Sequence, residues 1–375
     1  MQKSDSRLLA IDVMRGLVMV IMTVDHASEA FNRGRVFTDA TFLYTPGTPL
    51  PLAQFLTRWI THLCAPTFVL LAGTALALST ASRMRRGDAP REIDKHLAIR
   101  GALLIALDPT WMAPIFVGPG NFLFQVLYAI GASFLCMIPL RRLGDFALLA
   151  VGLGLAVGDE LLVGAAAATG TMSSLPVALL ASGGSFANGR FIIGYPFLPW
   201  LGIMCVGWVL GRKLLAWPAA ERDRIATHVL AAWGVALLVV FAVVRGANGF
   251  GNMALYRDDG SLAQWLHVSK YPPSISYDAL ELGLAALTMA VLFRVLARKP
   301  DFAAPVRTLG QVALFYYLLH AHVMTLVATV TKTHHELGLA SAWLGAAATL
   351  LVLAPVCAWY RRYKGANPGG WRQYV

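Results

Sequence analysis

Residues 7–31 read RLLAIDVMRGLVMVIMTVDHASEAF, and this segment decides the fold of the chain. It is apolar and long enough to cross a bilayer as an α-helix, which takes about 20 residues. Asp12, Arg15, Asp25 and His26 interrupt it. A charged group in hydrocarbon costs on the order of 3 kcal/mol, so such residues normally face a bundle interior or a water-filled cavity. The segment therefore predicts a membrane helix that lines a polar site.

The polar residues of this helix share one face. Residues three or four positions apart are neighbours on a helix, and this spacing connects Asp12, Arg15, Met19, Met22, His26 and Glu29. Arg15 and His26 are roughly 16 Å apart along the axis. One interpretation is a ladder of buried ion pairs that only positions the helix. We favour a functional stripe, because ionisable residues inside a membrane usually belong to a site.

The composition excludes an ordinary soluble domain. Of the 375 residues, 57% are hydrophobic and only 14% are charged. Apolar runs predict ten spans, at roughly 8–30, 54–80, 95–115, 121–140, 144–166, 194–215, 226–246, 275–297, 305–330 and 338–360. We therefore predict an all-α, multi-pass integral membrane protein with about ten transmembrane helices. Residues 1–375 form a single transmembrane domain, with outer-side loops at 170–194 and 246–273.

The net charge of +11 indicates topology rather than binding to nucleic acid. Most Lys and Arg residues follow the even-numbered spans. The positive-inside rule places those loops and both chain termini in the cytoplasm, and we expect a bacterial cytoplasmic membrane. The four cysteines lie inside apolar runs without metal-ligand spacing, so we expect neither disulfides nor a bound metal.

His26 is the leading candidate for catalysis. Asp25 beside it, or Glu29 one turn further on, can orient the imidazole ring, and such a pair can take a proton from a hydroxyl or an amine. On the second predicted span, Arg58 and His62 share a face near the outer end. There they can bind an acceptor or stabilise a developing oxyanion.

Other polar residues within or beside the spans predict a central polar cavity, since polar groups in a bilayer need one another or water. The binding candidates among them are Arg100, Gln125, Tyr128, Lys270, Tyr271, Tyr317 and His320. His320 and His322 cannot face the same way on one helix, so at least one of them serves packing or an interhelical hydrogen bond.

Four blocks of the sequence resemble the heparan-α-glucosaminide N-acetyltransferase catalytic-domain family. They are RLLAIDVMRGLVMVIMTVDH at 7–26, RWITHLCAPTFVLLAGTALALS at 58–79, KYPPSISY at 270–277 and ALFYYLLHAHV at 313–323. Arg15 to His26 is also similar to the Arg-x10-His signature of the wider transmembrane acyltransferase superfamily. The resemblance implies a multi-pass enzyme that moves an acetyl group from cytoplasmic acetyl-CoA to an acceptor at the outer side.

Carried over by position, His26 would activate the acceptor or the thioester, and Arg15 would lie on the route of the acyl donor. The expected CoA contacts are Arg15, Arg100, Tyr317 and His320, and those expected for a sugar-like acceptor are Glu29, Gln125, Tyr128, Lys270 and Tyr271. Asp25, Arg58 and His62 complete the expected catalytic group. The family likeness also favours a homodimer.

Several alternatives stay open from the sequence. Direct attack on the thioester and a two-step route through an acyl-histidine fit the residues equally well. The acceptor can be an amino sugar, a glycan hydroxyl, a lipid-linked sugar or a small metabolite. A transporter or exporter would use the same polar stripe as a relay, although its inverted repeats are not visible. A non-catalytic scaffold or sensor with a small-molecule pocket is the third class.

Overall fold

A computed structural model describes residues 8–367 and 369–370, so Arg7, the first residue of the segment quoted above, lies outside the described residues. Within them the chain is helical. The α-helices are Leu9–Phe31 (α1), Leu52–Ile60 (α2), Cys64–Arg85 (α3), Pro90–Leu107 (α4), Ala113–Phe116 (α5), Val126–Leu140 (α6), Asp145–Ala168 (α7), Leu175–Val177 (α8), Phe197–Ala216 (α9), Arg222–Ala247 (α10), Leu262–Leu266 (α11), Ile275–Leu296 (α12), Ala304–Gln311 (α13), Ala313–Thr331 (α14) and Leu339–Ala366 (α15).

Short irregular helices connect some of these elements. Thr61–Leu63 is a 3-10 turn that joins α2 to α3, and Asp108–Met112 is a π-helical turn that joins α4 to α5. A second 3-10 turn is Thr41–Leu43, and Ala178–Ser182 is a π-helical turn after α8. The only strands among the described residues are Phe122–Phe124 (β1), Gly184–Phe186 (β2) and Phe191–Ile193 (β3). In their small sheet, β3 lies between β1, to which it is parallel, and β2, to which it is antiparallel.

The helices confirm an all-α multi-pass membrane protein. Each of the ten predicted spans overlaps a helix or a helical pair, and eight of these, within the described residues, are long and apolar enough to cross a membrane. The two others are α1, whose charged residues interrupt it, and α6, which has only 15 residues. The count of ten membrane crossings therefore stays a prediction.

Glycines let the helices pack closely. A Cβ added at Gly207 of α9 would lie 2.1 Å from the Leu70 carbonyl oxygen of α3, and one added at Gly73 of α3 would lie 2.3 Å from the Met204 carbonyl oxygen of α9. Helices in a bilayer gain little from the hydrophobic effect between them, so close van der Waals packing over small residues stabilises their association. The bundle core is assembled through such contacts.

Helix α1 lies in the centre of the bundle. It packs against α3, α12, α13, α14 and α15, which come from distant parts of the chain. A wide apolar face, including Met14, Val18, Met19 and Ala27, is buried in these contacts. Its polar stripe is thereby held inside the protein, as the sequence predicts.

The bundle has two chemically different ends. The connections 32–51, 117–125, 170–196 and 248–274 meet at one end, which we call the cap end; there, for example, the Lys270 amide donates to the Asp39 carbonyl oxygen. Arg245 of α10 holds this cap together through hydrogen bonds to Asn252 and to carbonyl oxygens of residues 255–267. The opposite end, which we call the basic end, carries Arg83, Arg85, Arg86, Arg141, Arg142, Arg212, Lys213, Arg298 and Lys299.

Candidate functional site

A cavity of about 640 Å³ lies under the cap end, and we call it the cap cavity. Residues from α1, α2, the segment 116–125, the sheet region 182–195 and the start of the KYPPSISY block line it. Its titratable lining residues are Asp25, His26, Glu29, Arg35, Arg58, Tyr195, Lys270 and Tyr271. With Gln125, which also lines it, the fold thus brings seven of the sequence-predicted site residues into one cavity.

His26 is held in this cavity by a second histidine. Its Nδ1 lies 2.6 Å from Nε2 of His320 on α14, and the two rings stack with centroids 4.9 Å apart. Phe116 covers another side of the His26 ring, with centroids 5.1 Å apart. The His26–His320 contact joins residues 294 positions apart.

The surroundings of His320 determine which nitrogen of each ring carries the hydrogen. Its Nδ1 lies 2.8 Å from the Tyr317 carbonyl oxygen and 3.2 Å from that of Tyr316. Carbonyl oxygens only accept, so Nδ1 of His320 is the donor, and Nε2 of the neutral ring is an acceptor. His26 must then donate from Nδ1, which leaves the lone pair of its Nε2 available. His26 is therefore in the tautomer that a general base at Nε2 requires.

The carboxylates expected to orient His26 have other partners. Asp25 accepts two hydrogen bonds from Arg58, at 2.7 and 2.9 Å, and lies 3.2 Å from Arg35. Glu29 forms an ion pair with Arg35 as well. The ring of His26 is therefore oriented by another helix, and the neighbouring carboxylates bind guanidinium groups instead.

Arg58 is the centre of a buried charge network. Besides Asp25, it binds Asp39 at 2.6 Å and the Tyr271 hydroxyl at 3.3 Å, and His62 lies 3.1 Å from the same Asp39 oxygen. Burial alone would raise the pKa of the Asp39 carboxyl, but Arg58 and His62 hold that pKa well below its usual range. Arg58 and His62, which the sequence predicts to share a helical face, thus both contact the carboxylate of Asp39 from the cap.

The structure places the remaining predicted acceptor residues differently. Gln125 lines the cap cavity, whereas Tyr128 lies outside it and donates its hydroxyl to the Leu179 carbonyl oxygen at 3.3 Å. His62 is buried behind Arg58 and does not line the cavity. The Asp108 carboxylate accepts from the backbone amides of Gln125 and Tyr128, at 2.6 and 2.9 Å. The Asp108 carboxylate thereby pairs backbone amides that have no hydrogen-bond acceptor within α6, and it fixes the position of that edge of the site.

A second cavity of about 230 Å³ lies nearer the basic end. Arg15, Arg100, Tyr317 and Lys364 line it together with apolar residues of α3, α4, α6 and α14. Arg15 donates to the Gly310 carbonyl oxygen at 3.3 Å, and the Arg100 guanidinium lies 5.4 Å from the centre of the Phe134 ring. Three of the four expected CoA contacts, Arg15, Arg100 and Tyr317, thus line one cationic cavity. The fourth, His320, is hydrogen-bonded to His26 instead.

The two cavities have no lining residue in common. Tyr317 lines the smaller one, and its ring centroid lies 5.7 Å from that of His320, which stacks on His26. The single polar cavity expected from the sequence is therefore divided into two, with Tyr317 and His320 between them. Both cavities are lined by the polar stripe of α1, through Arg15 at one and His26 at the other.

Three parts of this site carry no local sequence signal. Asp39 is one of many polar residues in a loop. Arg35 cannot be distinguished in the sequence from the loop arginines that set the orientation of a membrane protein. The pairing of His320 with His26 depends on how α14 packs on α1. Among the described residues, no group of three or more His, Cys, Asp or Glu side chains is arranged to hold a metal ion.

Comparison with models of protein families identifies a family that the chain matches. A family model described as heparan-alpha-glucosaminide N-acetyltransferase, catalytic, matches residues 7–244, which is more than half of the chain. The matched region contains the first two blocks of resemblance and all four cavity-lining residues of α1, whereas the blocks at 270–277 and 313–323 lie beyond it. No curated protein matches the chain.

Proposed function

The chain belongs to the heparan-alpha-glucosaminide N-acetyltransferase catalytic family, and from that premise we propose that it transfers an acetyl group from acetyl-CoA to an amine or hydroxyl in the cap cavity. The family supports a transmembrane acetyltransferase. The donor, the sugar-like acceptor and the roles of individual residues are our proposal.

One observation carries the proposal, and it is the His26–His320 hydrogen bond in the wall of a cavity large enough for a sugar. Because His320 accepts from Nδ1 of His26, the basic Nε2 of His26 is available for the acceptor. A positioned general base contributes about 10²- to 10⁴-fold in rate. Asp25 and Arg58 line the same cavity and are proposed to hold the acceptor beside this base.

The chemistry needs only groups already named. His26 takes the proton from the acceptor amine or hydroxyl, whose heteroatom attacks the thioester carbonyl carbon. The C–S bond then breaks, the acetyl group stays on the acceptor, and the CoA thiolate leaves and takes up a proton. In the two-step route, the acetyl group passes first to Nε2 of His26 and then to the acceptor.

The acetyl-CoA is proposed to enter at the basic end. Arg15, Arg100 and Lys364 form a cationic cavity suited to its phosphates, because guanidinium and ammonium groups bind phosphate oxygens. Tyr317 and His320 lie between this cavity and His26, so their side chains are proposed to border the path of the acyl group. The distribution of Lys and Arg supports an outward-facing cap end in a cytoplasmic membrane, and a homodimer is our proposal for the assembly.

The test is acetyl transfer by the purified protein in detergent. Radiolabelled acetyl-CoA is incubated with amino sugars, neutral sugars and small hydroxyl compounds, and labelled products are separated. We expect His26→Ala to abolish transfer while the protein stays folded. The matched control is His228→Ala, an exposed histidine on α10, which should keep wild-type activity.

Two outcomes would contradict the proposal. Full activity of His26→Ala would remove His26 from the mechanism. Solute uptake into proteoliposomes without any acetyl transfer would instead support a transporter. Acetyl-CoA should also raise the melting temperature, because a ligand that binds only the folded state stabilises it.

A further inference from the structure

Lys270 is a buried cation in the wall of the cap cavity. The residue is only 3% exposed, and it lines the cavity beside Tyr271, whose ring centre lies 5.2 Å from the Lys270 ammonium. Within residues 8–367 and 369–370, no carboxylate lies within ion-pair distance of this ammonium, and no side chain or backbone group accepts a hydrogen bond from it. Its backbone, by contrast, is fixed by a hydrogen bond that the Lys270 amide donates to the Asp39 carbonyl oxygen.

The carboxylates of the cavity wall already have partners. Asp25 binds Arg58 and Arg35, and Glu29 binds Arg35. Of the three cations that line the cavity, Arg35 and Arg58 form ion pairs with carboxylates, and Lys270 is the one without an ion-pair partner among the described residues. Asp39, which lies behind this wall, binds Arg58 and His62.

Removing an ammonium group from water without giving it a hydrogen-bond acceptor is unfavourable. The cavity beside the Lys270 ammonium can supply that acceptor through water or a bound ligand, and an anionic ligand supplies the stronger hydrogen bond. Lysine is a compact, strongly hydrated point charge with three donors, which suits the oxygens of a phosphate or a carboxylate.

We propose that Lys270 forms an anion subsite in the cap cavity and that the acceptor carries a phosphate or carboxylate group bound there. The part of this inference that names the acceptor rests on the proposed function, whereas the anion subsite itself does not. Lys270 and His26 line the same cavity, so one acceptor can place its anionic group at the first and its amine or hydroxyl at the second.

The experiment measures anion binding without requiring turnover. The full-length protein in detergent is titrated with inorganic phosphate, glucose 6-phosphate, glucuronate or glucose at constant ionic strength, and its melting temperature is followed. Lys270→Met keeps the length of the side chain and removes the charge, and Lys270→Arg keeps the charge. Lys299→Met, an exposed lysine at the basic end, is the matched control.

We expect a saturable rise in melting temperature with phosphate, sugar phosphate or glucuronate and none with glucose. The apparent affinity should fall at least about tenfold in Lys270→Met, while Lys270→Arg and Lys299→Met should bind like the wild type. Comparison of the phosphate and glucuronate arms identifies the anion. If Lys270→Met does not fold, Lys270→Gln is measured in its place.

Equal anion responses in the wild type and the neutral variant would overturn the subsite, and so would the absence of any anion response in the wild type. Stabilisation by acetyl-CoA is recorded in the same samples. If anions bind through Lys270 but acetyl-CoA neither binds nor donates, the proposed function fails and the subsite stands.

Discussion

Replacing His320 tests whether this residue acts by orienting His26. In His320→Ala, Nδ1 of His26 loses its acceptor at 2.6 Å, and nothing then selects the tautomer with a basic Nε2. A buried donor left without a partner costs about 1–3 kcal/mol. If the activation free energy rises by this amount because His26 is no longer oriented, kcat falls about 5- to 150-fold, since 1.36 kcal/mol corresponds to a factor of ten.

The assay is acetyl transfer at saturating acceptor, with kcat and the KM for acetyl-CoA measured for four proteins. These are the wild type, His26→Ala, His320→Ala and the double variant. We expect kcat to fall in His320→Ala with little change in KM, because Arg15 and Arg100 keep their positions at the other cavity. The double variant should be no slower than His26→Ala, since His320 acts through His26. His320→Gln, whose amide oxygen can replace the acceptor, should recover part of kcat.

Two results would refute this reasoning. One is an undiminished kcat in His320→Ala, and the other is a His320→Gln variant that is as slow as His320→Ala. His322→Ala is the control on the same helix, because its ring stacks on Trp111 and lines neither cavity. It should retain wild-type kcat.

Three further predictions concern stability. Gly207→Ala should lower the melting temperature in detergent, because the new Cβ would lie 2.1 Å from a backbone oxygen of α3 and overpacking costs about 1–3 kcal/mol. Arg245→Met should make residues 252–267 sensitive to limited proteolysis, because the acceptors that this arginine satisfies lose their donor. Asp39→Asn should be less stable than the wild type at neutral pH. Burial raises the pKa of Asp39 but its cationic neighbours lower it further, so the advantage of the wild type should shrink as the pH falls below about 3.9 toward the folded-state pKa.

Each of these predictions has a control and an outcome that contradicts it. Gly154→Ala places its Cβ in open space and should be neutral or stabilising, so an equal loss in both glycine variants would argue against the close crossing. Arg298→Met removes an exposed arginine at the basic end and should leave the cap resistant. A difference between Asp39→Asn and the wild type that stays constant from pH 7 to pH 3 would contradict the assigned ionisation.

Much of the fold follows from the sequence because membrane helices satisfy their own backbone. In lipid every amide must find a partner within the segment, so length and apolarity are enough to locate a helix. The predicted spans overlap the helices for that reason. The ends differ where local chemistry intervenes: α6 begins at Val126, after a short strand, rather than at residue 121.

The helical faces of the candidate site also follow from the sequence, but the partners do not. Spacing predicts that Arg58 and His62 share a face, and in the structure both reach Asp39. The expectation that Asp25 or Glu29 orients His26 considers only neighbours on the same helix. In the folded protein guanidinium groups bind those carboxylates, because ion pairing offsets the cost of burying them.

The sequence alone determined that this chain is a multi-pass helical membrane protein whose first helix presents Arg15 and His26 on one face, since periodicity and hydropathy are local properties. Only the tertiary structure decided that His320, on a helix almost 300 residues away, selects the tautomer of His26, and that two cavities replace one. Contacts between distant helices depend on how their surfaces pack, and no short segment contains that information.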